Sequence, residues 1–325
     1  MRRTVTLAAA TAAAVTAAVL GAAPSASAGL TTYCVGTGGA VTVPNDLYVP
    51  PGESCALTGT IITGNVAVAA GANLVVDGGR VDGLVEIASD GYLDARNSTV
   101  RGDVVVASGG YGVYLQDTDS GSVTVRAKGS STINTFLFAD ASTITGSVNA
   151  SAGDVRLDRG TTVTGSLSTN GSYYTDLHDS FVDGALSVLN SGSGSVICGS
   201  AVAGRSTFAG NVGGVQVGPN GTLDSCASGG YFGADVSITN TTGGVTVDDT
   251  IINGALTVQR NTPAARVAAN NRIRGGVAGD PAAPSAQRQA ARAAAADRDA
   301  TAQDRTDARH DAAVDEAAAA GAARL

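Results

Sequence analysis

The chain has 325 residues, of which 43% are hydrophobic and only 4% aromatic, and its formal net charge at pH 7 is −8. The acidic balance, with Lys128 as the single lysine, argues against nucleic-acid binding, because proteins of that class present a basic surface to phosphates. Glycine is the most informative residue type, since many of the 44 glycines recur at a fixed spacing.

Residues 1–28 predict a secretory signal peptide. Arg2 and Arg3 form a positive start, residues 7–20 an apolar stretch, and residues 26–28 a small-residue cleavage site. A membrane anchor is the alternative, but the stretch is rich in alanine and threonine and ends in the cleavage motif. No second apolar run of about eighteen residues follows, so we expect an extracellular protein without a membrane span after cleavage.

Residues 29–59 precede the first repeat, and we expect them to form an N-terminal cap. Such a cap is needed because the end coil of a stacked-repeat protein exposes unpaired strand edges. Cys34 and Cys55 bracket the segment, and an even number of cysteines in an exported protein is expected to be paired. We therefore predict a Cys34–Cys55 disulfide that closes the cap.

Residues 60–279 repeat the phrase V/I-x-G-x-V/L-x-V every nineteen to twenty-one residues, apart from two longer intervals. The apolar residues and the glycine are two apart, so an extended chain places them on one inward face. A glycine on that face indicates a bend or the close approach of a neighbouring backbone. The glycines are Gly64, Gly83, Gly102, Gly121, Gly146, Gly165, Gly184, Gly204, Gly254 and Gly275, and Ala234 holds the equivalent place.

A second column stands five residues before the phrase glycine and consists mainly of Gly, Asn and Asp. These residues most readily accept a left-handed backbone, so the column predicts a tight corner. Its members are Gly59, Gly78, Asn97, Gly160, Asp179, Gly199, Gly229, Asp249 and Asn270, with Gln116 and Ala141 as exceptions. Each period is thus a strand, a corner, a bent strand and a turn, which bury an inner face only when stacked. The predicted fold is all-β: a single parallel β-solenoid of about eleven coils, right-handed because the period does not divide into hexapeptides.

Two intervals of the repeat are stretched, and insertions of this kind form loops on one face, often the interactive one. They run from Gly121 to Gly146 and from Gly204 to Ala234. Cys198 and Cys226 lie on the same predicted face, one coil apart, across the second stretched interval. Stacked strands are about 4.8 Å apart, which is within the reach of a disulfide, so we predict a Cys198–Cys226 bond.

Tyr92, Tyr111 and Phe136 each lie ten residues before a phrase glycine, in three consecutive coils. Three stacked rings are a candidate ligand platform for sugar rings. The alternative, which we favour, is an aromatic stack that only stabilises the coils.

Exported β-solenoids are often polysaccharide lyases or hydrolases, so paired carboxylates need inspection. Asp248 and Asp249, with the basic run 272–274, are faintly similar to galacturonase-type motifs, but no Gly-His-Gly is present. Asp249 also falls in the corner column, which explains it without catalysis. We therefore predict no catalytic residue.

His178 lies between Asp176 and Asp179, and we interpret it as an exposed strand histidine. A metal or general-base role would need a further ligand or partner nearby. Calcium-binding nonapeptides, Walker loops and dinucleotide loops are absent from the sequence. We predict neither a metal site nor a cofactor.

The runs 60–66 (TIITGNV), 255–263 (ALTVQRNTP) and 270–276 (NNRIRGG) resemble a group of uncharacterised exported repeat proteins of high-GC Gram-positive bacteria. In that group each coil carries a G-N-V-type phrase, and the last coils carry Q-C-x-x-N-T-P. The resemblance covers about residues 30–279 and implies a solenoid and export, but no activity. Arg260 stands where the group has its cysteine, so the C-terminal cap is not closed by a disulfide here.

Residues 280–325 differ in character from the repeat, with a linker from residue 280 and then mostly Ala, Arg and Asp without a large apolar stripe. Alanine favours a helix, but the charged pairs at i,i+4 have like signs. These pairs are Arg288/Arg292, Arg305/Arg309, Asp307/Asp311 and Asp311/Asp315. We expect a linker followed by a disordered tail or a marginal helix.

Two functions fit the sequence. The first is a non-catalytic exported rod, structural or adhesive, whose partner is cell-wall or extracellular polysaccharide or another copy of the chain. The alternative is a polysaccharide-binding or polysaccharide-cleaving protein that uses the stretched coils and the aromatic column. Flat Ser, Thr and Asn faces would favour the rod, and a groove with several carboxylates and arginines would favour the alternative.

Overall fold

The computed structural model describes residues 30–282 and 298–325. The predicted signal peptide and residues 283–297 of the predicted linker and tail lie outside the described residues. Runs of β-branched and apolar residues, interrupted every few positions by Gly, Asn or Asp, form many short strands.

The strands are numbered in chain order. Those of the first third are β1 (Thr31–Tyr33), β2 (Gly36–Gly38), β3 (Thr42–Val43), β4 (Asp46–Val49), β5 (Ser54–Thr58), β6 (Ile61–Ile62), β7 (Val66–Val68), β8 (Asn73–Asp77), β9 (Arg80–Val81), β10 (Val85–Ile87), β11 (Tyr92–Arg96) and β12 (Thr99–Val100). The middle strands are β13 (Val104–Val106), β14 (Gly112–Gln116), β15 (Asp119–Ser120), β16 (Val123–Val125), β17 (Phe136–Asp140), β18 (Thr143–Ile144), β19 (Val148–Ala150), β20 (Asp154–Asp158), β21 (Thr162–Val163), β22 (Leu167–Asn170), β23 (Tyr174–His178) and β24 (Phe181–Val182). The last are β25 (Leu186–Leu189), β26 (Ser195–Cys198), β27 (Ala201–Val202), β28 (Ser206–Ala209), β29 (Val215–Val217), β30 (Tyr231–Phe232), β31 (Val236–Thr239), β32 (Val245–Val247), β33 (Ile251–Ile252), β34 (Leu256–Gln259), β35 (Arg266–Val267), β36 (Arg272–Ile273) and β37 (Val277–Gly279).

Every third strand belongs to the same sheet, so the chain winds through three sheets in turn. Sheet A runs from β1 to β37 and has 13 strands, whereas sheet B (β2 to β35) and sheet C (β3 to β36) have 12 each. Strands of successive turns pair in parallel. The described chain is therefore a β-solenoid of about 12 turns, which confirms the predicted fold class. We number the coils from coil 1 (β1–β3) to coil 12 (β34–β36); the right-handed sense stays a prediction.

The apolar positions of the phrase fill the interior, as predicted. Val104 and Val106 are fully buried, whereas Val105 between them lies on the outer side of β13. Leu186 and Val188 repeat this arrangement in β25. One continuous apolar core consequently runs through the stacked coils.

The phrase glycines are required by the stacking of backbones. A methyl group on Gly102 would lie 2.2 Å from the carbonyl oxygen of Gly83, and one on Gly83 would lie 2.4 Å from that of Gly64. The equivalent position in coil 1 is Asn45. Val66 lies two residues after Gly64, and its partner Leu47 lies two residues after Asn45. No coil of the described chain lies before coil 1, so a side chain is tolerated there.

Residues 29–59 are not a separate cap, since their strands already belong to the three sheets. β1, β2 and β3 pair with strands of coil 2 in the same register as later coils. The solenoid therefore begins at Thr31 rather than near residue 60. The sequence pattern missed coil 1 because coil 1 lacks the phrase glycine.

The corner column has a left-handed backbone at most of the predicted positions. Members with positive φ are Gly59, Gly78, Asn97, Gly160, Asp179, Gly199 and Asp249. In coil 5 the corner residue is Asp117 rather than Gln116, and Ala141 takes a φ of 49° in spite of its Cβ. The prediction is wrong for Gly229 and Asn270, which do not have positive φ.

The two stretched intervals flank sheet B instead of sharing one side. The first, residues 126–135, joins β16 of sheet A to β17 of sheet B. The second, residues 218–230, leaves β29 of sheet B for β30 of sheet C. The departures from regular coils are thus concentrated around sheet B.

Both disulfides join the cysteines that the sequence paired. The Cα atoms of Cys34 and Cys55 are 5.6 Å apart, and those of Cys198 and Cys226 are 5.5 Å apart. The second bond ties the insertion after β29 back to β26. Because disulfides persist in oxidising compartments, the two bonds indicate a non-cytoplasmic environment.

The C-terminal residues form one helix, α1 (Arg298–Ala320), on the outer face of sheet B. It runs against the direction of the coils, from Asp176 in coil 8 to Thr37 in coil 1. Its 23 residues span about 34 Å, the height of about seven rungs. The described end of the tail, expected to be disordered or a marginal helix, is a docked helix that ends at Ala320 and is followed by Gly321, whose φ is 85°.

The face of α1 that meets the sheet is made of small side chains. Ala302, Thr306, Ala313 and Ala317 are buried there. These small side chains let the helix backbone approach the sheet closely, and the large apolar side chains of the interface belong to the sheet. A large apolar stripe on the helix is therefore not needed.

Candidate functional site

The outer face of sheet B carries a cluster of large aromatic residues together with charged residues. Strand residues alternate between the core and this face, so the first, third and fifth positions of five-residue strands such as β11, β17 and β23 point outward. We call the aromatic residues there the aromatic cluster: Tyr92, Tyr111, Tyr114, Phe136, Phe138 and Tyr174. Ala302 of α1 packs against this cluster.

The three aromatic residues singled out in the sequence belong to the aromatic cluster, but they are not an open platform. Tyr92 and Phe136 are fully buried, and Tyr111 is partly buried. Tyr92 and Phe136 both pair in register with Gly112, so Tyr111 stands one residue out of the column. Gly112 makes room for the neighbouring ring, since a Cβ there would lie 2.5 Å from Phe136. The rings therefore pack around one another under α1 instead of forming a straight stack.

Arginines of α1 lie over the aromatic cluster. The guanidinium of Arg305 is 4.7 Å from the ring centre of Phe136, and that of Arg309 is 4.5 Å from the ring centre of Tyr111. Arg298 lies 5.0 Å from the ring centre of Tyr174. Such cation–π contacts hold the helix on the aromatic faces of the sheet.

The same cationic residues pair with aspartates of sheet B. Arg298 Nη1 lies 2.9 Å from Asp176 Oδ2, and Arg305 Nη1 lies 2.9 Å from Asp154 Oδ2. His310 Nδ1 lies 2.8 Å from Oδ2 of Asp94. Arg298, Arg305 and His310 therefore each contact an aspartate of a different strand of the sheet.

Arg309 and Glu316 extend this polar contact toward coil 2. Arg309 donates from Nε to Oδ1 of Asn73 at 2.8 Å, and Ser54 donates to Glu316 Oε2 at 2.7 Å. The Asn73 amide also donates to Ser54 at 2.8 Å. The like-signed pair Arg305/Arg309 is consequently compensated by the sheet and does not disrupt the helix.

Burial and ion pairing set the charge states at this interface. Burial raises the pKa of Asp154 to about 6, although Arg305 acts in the opposite direction. Burial likewise raises the pKa of the fully buried Asp176, opposed by Arg298. At Asp94 burial acts the same way, but hydrogen bonds from His310 and Arg96 outweigh it and lower the pKa. Asp154 and Asp176 thus hold a proton more readily than a free aspartate does, whereas Asp94 holds one less readily.

Beside α1 is a cleft of about 420 Å³ at coils 5 to 7. Its sheet side has Tyr114 and Phe138 as an aromatic floor and a charged rim, and its other wall is formed by Gln303 and neighbouring residues of α1. The charged rim consists of Asp140, Arg156, Asp158 and Arg159.

The charges of the cleft are organised around Asp140. The hydroxyl of Tyr114 donates to Asp140 Oδ2 at 2.9 Å, and Arg159 donates to the same oxygen. Arg156 pairs with Asp158 at 2.6 Å. Burial raises the pKa of Asp140 in spite of the hydrogen bond from Tyr114 and the charge of Arg159. A carboxyl group beside an aromatic floor and two guanidinium groups offers hydrogen-bonding groups and an apolar surface to a polar, ring-containing ligand.

The interpretation of His178 as an exposed strand histidine is wrong. The side chain is buried, and its Nε2 lies 3.3 Å from Asp224 Oδ2, in the loop after β29. Burial lowers the pKa of His178, but Asp224 and Asp176 outweigh it, so the net shift is upward. The second insertion supplies this partner, which adjacency in sequence does not show.

The paired aspartates take the places that the repeat assigns them. Asp249 occupies the left-handed corner with a φ of 49°, and Asp248 is buried and accepts a hydrogen bond from Asn220 at 2.9 Å. Arg272 and Arg274 lie at the exposed edge strand of the last coil. Among the described residues, no group of three or more His, Cys, Asp or Glu is arranged to hold a metal ion.

The docking of α1 is the feature that sequence reasoning missed. Its signal was present in two separate patterns. Arg298, Arg305 and Arg309 are spaced to share one helix face, and the outward positions of sheet B alternate between aromatic residues and aspartates such as Asp154 and Asp176. Each pattern gains its meaning only when the helix is laid on the sheet.

The chain matches no protein-family model, no curated protein and no solved structure. Within the described residues, no helix has the length and apolar character needed to cross a membrane.

Proposed function

We propose that the chain is an exported, non-catalytic structural or adhesive rod that binds extracellular or cell-wall polysaccharide. The observation that carries the proposal is the outer face of sheet A. Over seven successive coils one outward position of this sheet holds a hydroxyl or amide side chain, in register from strand to strand. These residues, the hydroxyl stripe, are Thr124, Asn149, Ser168, Ser187, Thr207, Ser237 and Thr257.

The hydroxyl stripe suits an extended polymer better than a small substrate. With one residue per rung it extends for about 29 Å, and its members are at least partly exposed. A flat row of hydrogen-bonding groups can contact many units of a chain, each weakly, which is how an adhesive surface gains strength. The predicted signal peptide and the two disulfides support a location outside the cytoplasm.

Co-sedimentation with purified, insoluble cell-wall polysaccharide tests this proposal. The full chain is expected to pellet with the polymer, and a variant with Ser187→Glu and Thr207→Glu is expected to stay largely in solution. The matched control is Thr162→Glu with Ala201→Glu, which places the same charges on the outer face of sheet C and should still pellet. Equal behaviour of the two variants, or no pelleting by the wild type, would overturn the role of the stripe.

The cleft beside α1 supports a second candidate function, the binding or cleavage of a polysaccharide. Its combination of an aromatic floor with Asp140, Asp158 and two arginines is the carboxylate-and-arginine groove expected for this alternative. Asp140 is the carboxyl group of the cleft that could serve as a general acid, because burial raises its pKa and its side chain lies beside the aromatic floor.

Release of reducing ends from soluble acidic and neutral polysaccharides distinguishes the two functions. The cleavage hypothesis expects release by the wild type and at least a tenfold loss in Asp140→Asn, with Asp119→Asn on sheet C as the unaffected control. Calorimetric titration with the same polymers reveals binding without cleavage. No release and no binding that depends on Asp140 would leave the rod as the supported function.

A further inference from the structure

A groove of about 570 Å³ lies on the outer face of sheet C at coils 10 to 12. Tyr231 and Ile251 line it with side chains that are 42% and 37% exposed. Arg272 continues this column, since Tyr231 pairs with Ile251 and Ile251 pairs with Arg272. Asn253 and Arg274 follow two residues later in their coils, so an extended chain places them on the same face. The groove thus combines an apolar surface with an amide and two guanidinium groups.

The aromatic ring of the groove is held by the neighbouring coil. Asn253 of coil 11 donates from Nδ2 to the hydroxyl of Tyr231 in coil 10. This hydrogen bond orients the Tyr231 ring, and the Asn253 amide retains further capacity for hydrogen bonds with a ligand.

The guanidinium groups of Arg272 and Arg274 are exposed and have no ion-pair partner among the described residues. Most arginines of the preceding coils, in contrast, pair with aspartates. These are Arg80, Arg96, Arg101, Arg156, Arg159 and Arg205. The groove therefore presents two positive charges that no carboxylate of the described chain neutralises.

The end of the rod that carries the groove is basic, although the whole chain has a formal net charge of −8. Residues 251–279 contain four arginines and no aspartate or glutamate. A local concentration of one charge sign attracts partners of the opposite sign. The charge of this region consequently favours an anionic ligand.

The segment 283–297 of the same chain does not match this charge requirement, because it contains two arginines and one aspartate. The described residues on either side of it also lie away from sheet C. Ala282 donates its N–H to the Ala265 carbonyl, in the turn between β34 of sheet A and β35 of sheet B, and α1 begins on sheet B. The complementary anion therefore has to come from another molecule.

We propose that this groove binds an acidic polysaccharide through its uronate units. The planar guanidinium groups of Arg272 and Arg274 match a carboxylate in two-point hydrogen bonds. Tyr231 and Ile251 offer an apolar surface to the face of the sugar ring, and Asn253 offers hydrogen bonds to its hydroxyl groups. This inference deepens the proposed adhesive function by naming a class of glycan, and it rests on that function only for its biological use.

The groove and the hydroxyl stripe lie on different sheets, so their tests fail separately. The stripe variant, Ser187→Glu with Thr207→Glu, should keep its affinity for a soluble acidic oligosaccharide. Thr162 and Ala201, whose glutamate variants control the sedimentation test, do not line the groove. A chain that binds the soluble acidic oligosaccharide but does not pellet with insoluble polymer would retain the groove and exclude the stripe.

Calorimetric titration of the full chain with a galacturonate oligomer, and with a neutral galactose oligomer of equal length, tests the proposal. The acidic oligomer is expected to bind, and the neutral one to bind about tenfold more weakly or less. Arg272→Gln with Arg274→Gln should weaken binding of the acidic oligomer about tenfold or more, at an unchanged melting temperature. Arg101→Gln with Arg205→Gln is the matched control, because it removes the same charge from exposed sites outside the groove. No binding of the acidic oligomer, or equal losses in the two double variants, would overturn the proposal.

Tyr231→Thr separates recognition of a sugar from attraction of any anion. It keeps a β-branched residue in β30 but removes the ring, so galacturonate binding should weaken several-fold while binding of inorganic polyphosphate stays unchanged. An unchanged affinity for galacturonate would contradict sugar recognition.

Light scattering of the wild type without ligand examines a second copy of this acidic chain as the occupant. A single-chain mass at every concentration is expected. A mass that rises with concentration, and does so only while Arg272 and Arg274 are present, would assign the groove to a second copy and overturn the glycan site.

Discussion

The interior of the solenoid and the interface between α1 and sheet B are both buried, but they are built from opposite kinds of side chain. The interior consists of Val, Leu and Ile at repeated positions, and each coil meets nearly the same neighbours as the coil before it. The interface contains aspartates, arginines and aromatic rings whose contacts differ from coil to coil. The interior is therefore held by cumulative, interchangeable contacts, and the interface by a few specific pairs.

This difference has an energetic consequence. Loss of one interior contact destabilises the stacked coils together, because their core residues form one continuous cluster. Loss of one ion pair at the interface destabilises the chain by no more than the free energy of releasing α1, since a released helix lets water reach the unpaired carboxylate. Mutations in the interior should consequently unfold more of the chain, and cost more free energy of unfolding, than mutations at the interface.

The largest effect is expected in the interior. Val104→Asp strands an unpaired carboxylate in the core and should destabilise the chain by more than about 4 kcal/mol, enough to prevent folding. Val105→Asp is the matched control, because it adds the same charge one residue away on the outer side of β13. Thermal melting by circular dichroism separates the two. Equal melting temperatures would mean that Val104 does not face the core and that the coil register is wrong.

A smaller and more local effect is expected at the interface. Arg298→Gln leaves the fully buried Asp176 without its guanidinium partner, a loss of about 3 kcal/mol when the site stays closed. We expect α1 to detach at its N-terminal end while the coils keep their melting temperature. Limited proteolysis with detection of cuts after residue 298 measures this, and Arg101→Gln on the surface is the control. Cooperative loss of the solenoid together with α1 would contradict the separation of the two regions.

The pH dependence of the interface gives a third comparison. The folded chain binds a proton at Asp154 more readily than the unfolded chain, because burial raises this pKa from 3.8 to about 6. The resulting stability is present at low pH and is lost as the pH rises through about 6. Asp154→Asn should therefore remove up to about 3 kcal/mol of this pH dependence.

Urea unfolding between about pH 4 and about pH 7 measures the change. Asp119→Asn, an exposed aspartate of sheet C, controls for the loss of a negative charge. A variant whose stability varies with pH in parallel with the wild type would rule out Asp154 as the group responsible.

The smallest effect concerns the close approach of backbones in the glycine column. Gly102→Ala places a methyl group 2.2 Å from a carbonyl oxygen and should cost about 1–3 kcal/mol as neighbouring coils shift apart. Gly39→Ala has no atom within 4 Å of the new methyl group and should be neutral. Chemical denaturation of the two variants compares them directly. A neutral Gly102→Ala would indicate wider spacing between coils at this edge.

The two regions also differ in how far the sequence predicts them. A repeated phrase fixes neighbours by its period, so the inward position of Val104, the stacking at Gly102 and the pairing of Cys198 with Cys226 followed from spacing alone. Coil 1 was not predicted, because it has Asn45 where later coils have the phrase glycine. That glycine is needed only where the backbone of a preceding coil approaches closely. The contact of Arg298 with Asp176 joins residues 122 positions apart with no period to relate them. Nor did adjacency reveal the partnership of His178 with Asp224.

Hydrogen exchange of the backbone amides of α1, followed by mass spectrometry on the intact oxidised chain at neutral pH, measures whether α1 is docked on sheet B and covers the aromatic cluster. We expect slow exchange of peptides within residues 302–320 in the wild type, and faster exchange of the same peptides in Arg298→Gln. Exchange in the wild type as fast as that of an unstructured chain, with the coils of sheet B still protected, would contradict the docking of α1.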